Sequence, residues 1–93
     1  MSVQIYRTKD GLADYAFSLE PQRDGTWRAY IVRQPSYGGR ATDSGAVHRL
    51  SDGGRHYVCW QGAIRSESEA RAVARDWADL TQRYIRFGDP FGR

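Results

Sequence analysis

Tyr57-Val58-Cys59-Trp60, followed by Ser66-Glu67-Ser68-Glu69 and a long run to Ile85, is the stretch that decides the fold. The first group reads as a strand. The second opens a helix: Ser66 with Glu69 matches the capping box, in which the serine hydroxyl accepts from a backbone N–H near the helix start. Ala70, Val73, Ala74, Trp77, Thr81 and Tyr84 then recur at steps of three and four. At 3.6 residues per turn they form one stripe over roughly a third of the circumference, flanked by Leu80 and Ile85. Arg71, Arg75, Asp79, Gln82, Arg83 and Arg86 fall opposite. Gly88 and Pro90 end the run. One wide apolar stripe on one long helix demands a sheet to cover it.

The residues upstream supply that sheet. Val3 to Arg7 alternates apolar and polar, as does Tyr15 to Leu19. Trp27 to Val32 is rich in aromatic and β-branched residues. Asp10-Gly11 and Asp24-Gly25 supply turns between them, so the three segments read as an antiparallel meander. Residues 34–45 hold Pro35, Gly38, Gly39 and Gly45 without periodicity and read as a long loop. A short strand is expected over 46–50, a tight turn at Asp52-Gly53-Gly54, and a last strand over 55–60. The expected fold is therefore α+β: an antiparallel sheet of four or five strands, a meander plus a hairpin, with one carboxy-terminal helix on one face. Residues 1–93 read as a single domain.

Composition bounds the function. No apolar run reaches the ~18 residues of a membrane span, and the first residues lack the pattern of a signal peptide. One cysteine, Cys59, allows no internal disulfide. A cytoplasmic protein without a membrane partner is the expectation. The net charge is +3, unevenly spread: residues 28–65 carry six arginines against Asp43 and Asp52, and the rest of the chain is slightly acidic. Such a segment attracts phosphate or acidic protein surface. Arginine outnumbers lysine thirteen to one, which suits planar, bidentate recognition.

Alternation assigns strand faces. If the helix covers Val3, Ile5, Tyr15, Phe17, Leu19, Trp27, Ala29 and Ile31, then Tyr6, Ser18, Arg28, Tyr30 and Val32 lie on the other side. A single helix leaves that second face open. Arginine and tyrosine there suit nucleic acid, with arginines on phosphates and rings against bases. They equally suit a protein partner, since both residues are enriched at interfaces.

No constellation points to catalysis, a metal or a cofactor. His56 and Cys59 are three apart on an expected strand and so point to opposite faces. His48 could approach His56 across the hairpin, yet the nearby Asp52 has a turn to serve. Gly38-Gly39-Arg40 lacks the lysine and hydroxyl of a phosphate-binding loop. Its neighbours Tyr37 and Arg40 form a candidate recognition finger. Trp27, Trp60 and Trp77 are expected in or near one core cluster.

The succession Asp24-Gly25-Thr26-Trp27-Arg28-Ala29-Tyr30-Ile31, a basic loop, and Ser66-Glu67-Ser68-Glu69-Ala70 opening a helix resembles the small three-stranded DNA-binding domains at the amino ends of phage integrases. That resemblance implies a sheet laid into the major groove, with Arg28, Tyr30 and Arg33 facing it. The amino-terminal hairpin, the long central loop and the near absence of lysine depart from the pattern. The sequence thus reads as a non-enzymatic binding module. Its candidate residues are Tyr6, Arg28, Tyr30, Arg33, Tyr37 and Arg40. Its ligand is nucleic acid, DNA foremost, through the exposed face and the 34–45 loop. The alternative is a protein partner, including a homodimer built on the same face.

Overall fold

The computed structural model describes residues 3–91. The strands are β1 (Val3–Arg7), β2 (Asp14–Pro21), β3 (Trp27–Arg33), β4 (Arg49–Asp52) and β5 (Arg55–Val58); the helices are α1 (Ser44–Val47) and α2 (Glu67–Phe87). All strand pairs are antiparallel, in the order β1-β2-β3-β5-β4. The expected α+β architecture is what the chain adopts. Asp52 pairs with Arg55 around Gly53 and Gly54, whose φ of 57° and 82° only glycine accepts readily. Two consecutive positive φ angles make the two-residue turn that matches strand twist.

α2 starts and stops where its sequence says. The Ser66 hydroxyl accepts from Glu69 N–H at 3.1 Å. Gly88 closes the far end at φ 75°, its N–H donating to Tyr84 at 2.8 Å. Ala70, Val73, Ala74, Trp77 and Ala78 meet Tyr15, Phe17, Leu19, Ala29 and Val58 in one core. Trp77 is fully buried, edge-on to the rings of Tyr15 and Phe17 at 6.0 Å each. Its indole N–H would be costly to bury unpaired and donates to Val47 O at 2.9 Å. Trp27 and Trp60 pack against this cluster, as expected.

The phase of β1 is inverted from expectation. Gln4 sits opposite Phe17 and Tyr6 opposite Tyr15, so Gln4 and Tyr6 face the helix. Val3 and Ile5 point the other way, 50% and 71% exposed. The cause lies on the polar flank of α2. Arg71 Nε donates to Gln4 Oε1 at 2.9 Å, and Tyr6 donates to Asp79 at 2.6 Å. Burial, with the hydrogen bond to Asp79, pushes the Tyr6 hydroxyl up to about 12. Alternation fixes a strand's period, whereas its phase depends on what each face meets.

The central segment also differs. In place of a strand from 46, residues 44–47 form the short helix α1, capped by Asp43, and β4 begins at Arg49. This segment runs along the carboxy-terminal half of α2. Tyr84 donates to Ala41 O at 2.8 Å and Arg40 Nε to Ile85 O at 3.1 Å. Phe91 stacks on His48 at 4.8 Å. Loop and tail therefore thicken the helical layer, while Val3, Ile5 and Leu50 stay exposed on the second face of the sheet. No helix among the described residues is long and apolar enough to cross a membrane.

Candidate interaction surface

Register assembles the second face row by row. Val3 pairs with Ser18, Ser18 with Tyr30, Tyr30 with Tyr57, and Tyr57 with Leu50. One row thus crosses all five strands. Its centre is the ring pair Tyr30–Tyr57, with centroids 5.6 Å apart.

Two arginines lie diagonally across that pair. Arg28 leaves β3, passes over the Tyr57 ring at 4.2 Å, and reaches Asp52 on β4 at 2.8 Å. Arg55 leaves β5, passes over the Tyr30 ring at 3.7 Å, and ends on Glu20 of β2. Arg28 also donates to the Tyr30 hydroxyl at 3.1 Å. Each guanidinium thus gains a ring face and a carboxylate. The hydrogen bond from Arg55 holds the Glu20 carboxyl below its ordinary range, and those to Tyr30 and Asp52 raise Arg28 above its own. Roofed in this way, Tyr30 is only 5% exposed.

The rim is different. Arg7 pairs with Asp14 at 2.8 Å. A bulge opposite Ala16 and Phe17 inserts an extra residue into β3 and leaves Val32 55% exposed. Arg33 follows it, exposed, and helps lower Asp14. The face carries Arg7, Arg28, Arg33 and Arg55 against Asp14, Glu20 and Asp52, so its charge nearly cancels. Its exposed apolar side chains are Val3, Ile5, Val32 and Leu50.

The six sequence candidates therefore separate. Arg28 and Tyr30 share the face, interlocked. Arg33 stands at its rim. Tyr6 belongs to the helix side, bonded to Asp79. Tyr37 and Arg40 sit elsewhere, beside Arg49, around a shallow concavity of about 430 Å³. Sequence reading missed Arg55 and Arg49. Arg55 was legible: it flanks the Gly53-Gly54 turn opposite Asp52 and alternates in phase with Tyr57. Arg49 had no such signal, because the strand it opens was placed too early.

His48 is the left-handed cap of α1, at φ 50°. His56 faces the helix side, half-buried, and burial with the nearby Arg49 lowers its pKa. His48 and Cys59 line a concavity of about 280 Å³ with Trp60 and Gln61. No group of three His, Cys, Asp or Glu able to hold a metal occurs among the described residues.

Compared with protein-family models, curated proteins and solved structures, the chain matches none. The likeness to integrase amino-terminal domains rests on the residues quoted for it alone.

Proposed function

We propose that this domain is a self-associating interaction module, a second copy docking on the apolar half of the outer face along β1. The observation that carries this is the state of the face's arginines. A nucleic-acid face needs cations free to meet phosphate. Here Arg7, Arg28 and Arg55 already hold carboxylates, only Arg33 at the rim lacks an ion pair among the described residues, and the exposed apolar side chains are Val3, Ile5, Val32 and Leu50. Near-zero charge lets two such faces meet without repulsion, as an isologous contact requires.

The edges of the sheet agree. β4 is four residues long and charged at both ends, the usual protection against strand addition. β1 has five residues, no proline, no bulge, and one charge, which Asp14 neutralises. Five strands at ~4.8 Å spacing and about five residues at ~3.4 Å give ~400 Å² for the whole face, and the half along β1 is smaller still. Side-chain relief raises that, yet it stays below the ~800 Å² per partner of a standard interface. A weak, concentration-dependent dimer is the consequence.

Sedimentation equilibrium tests it. The protein should move from monomer to dimer across micromolar concentrations. Ile5→Lys should return it to monomer with its thermal unfolding unchanged at low concentration. A strict monomer at all accessible concentrations ends the proposal. A dimer indifferent to Ile5→Lys moves the contact off β1 and ends it equally. The nucleic-acid reading, by contrast, finds its cations at Arg40 in the 34–45 loop and at Arg49 beside it.

A further inference from the structure

The arginines at the 34–45 loop are held quite differently from those on the sheet. Arg49 donates to the Gln34 side-chain oxygen at 3.0 Å and lies against the Tyr37 ring at 5.1 Å. Arg40 gives Nε to Ile85 O at 3.1 Å, at the carboxy-terminal end of α2. Neither forms an ion pair among the described residues. Both line the 430 Å³ concavity, with the hydroxyl residues Ser36 and Thr42, and no carboxylate lines it. The adjacent acid, Asp43, is turned away to accept from Ala46 N–H at the start of α1.

Chemistry and placement agree. One neutral partner fixes each guanidinium and leaves further N–H donors uncommitted, since arginine carries five. A fork of such donors matches a tetrahedral oxyanion. The setting is rigid for a loop, because Tyr37 is 92% buried by its 8% exposure and Tyr84 fastens Ala41 from α2. Little side-chain freedom is left to lose on binding.

We infer that Arg40 and Arg49, with Ser36 and Thr42, form a phosphate-binding site. The concavity is open and shallow, so it takes a phosphoryl group projecting from a larger molecule as readily as a free anion. The shared chemistry is phosphate; its source is either a small phosphorylated compound or the backbone of a nucleic acid. The site is independent of self-association, so Ile5→Lys should leave it intact.

Two titrations decide. Inorganic phosphate, followed by NMR shifts at low ionic strength, should move Gly38, Gly39 and Thr42 amides. A duplex DNA oligonucleotide should be titrated in parallel at several salt concentrations. Arg49→Gln carries the test, because Arg40 also serves the end of α2; the helical circular dichroism confirms that each variant folds. Losing one charged fork should weaken binding about tenfold or more. Arg28→Gln and Arg55→Gln should change it little. Phosphate binding without a gain from the duplex identifies a small phosphorylated ligand. Tighter duplex binding, whose salt slope falls by about one per arginine removed, identifies nucleic acid. If neither probe binds the wild-type chain, or binding survives Arg49→Gln, the inference is wrong.

Discussion

Two regions of this molecule put arginine beside tyrosine, and they do opposite things with it. On the sheet, Arg28 and Arg55 lie over Tyr57 and Tyr30 and end on Asp52 and Glu20. At the loop, Arg49 lies over Tyr37 and Arg40 near Tyr84, and each ends on a neutral oxygen. The first arrangement spends its charge on the fold. The second keeps charge available. Residue type and ring contact are the same in both, so the partner at the end of the side chain separates structure from recognition.

The largest effect that sharpens this contrast is Tyr30→Ala. Tyr30 is the plate beneath Arg55 and beside Tyr57, at 5% exposure. Removing a buried ring from a core costs about 3–5 kcal/mol. Tyr30 is roofed by a guanidinium and not by the core, so a loss of about 2–3 kcal/mol is expected, read from urea unfolding. A loss under about 0.5 kcal/mol, the ordinary range for an open surface, would mean that the sheet tyrosines are free for a ligand after all.

Next in size is Tyr37→Phe at the loop, with the opposite sign. The Tyr37 hydroxyl is buried without a hydrogen-bond partner, the Gln34 amide nearby not meeting it at bonding geometry. Burial pushes its pKa up. An unpaired buried hydroxyl costs about 1–3 kcal/mol. Deleting it should stabilise the domain by about 1 kcal/mol, raising the urea midpoint. A fall in that midpoint would show that Gln34 or another group does satisfy the hydroxyl.

Those two tyrosines also show what the sequence disclosed and where it stopped. The helix was legible to its caps, because Ser66, Glu69 and Gly88 act through bonds to near neighbours in the chain. The sheet was legible because period two is plain in β1 and β2 and because aromatic and β-branched residues mark β3. The parity of β1 was not, since Val3 and Ile5 look like core until Asp79 and Arg71 are known to meet Tyr6 and Gln4. The candidate surface failed in the same way. Arg28 and Tyr30 were placed on the correct face, but the carboxylates that occupy Arg28 and Arg55 arrive from other strands, 24 and 35 residues away. Pairing across strands depends on order and register, which local pattern does not carry. The loop's attachment to α2 was invisible for the same reason: Arg40 meets a backbone oxygen 45 residues on.

The smallest effect distinguishes the two regions by pH. The Arg55 guanidinium lowers the Glu20 carboxyl below its unfolded range. A carboxyl depressed in the fold stabilises it at every pH above the unfolded value, near ~4.3, and that contribution fades as pH falls through the folded value. At pH 7 wild type should therefore exceed Glu20→Gln, by under about 1 kcal/mol since the pair is partly exposed. The gap should narrow as pH drops below ~4, because protonation removes in wild type what the substitution removed already. Arg49→Gln should behave otherwise. No carboxylate answers Arg49, so below pH ~4, where the His56 that it opposes is already protonated in both proteins, its stability profile should run parallel to wild type. Convergence of the Arg49→Gln and wild-type profiles in acid would reveal an acidic partner at the loop, and the distinction between charge spent on folding and charge held for a ligand would then fail at its simplest point.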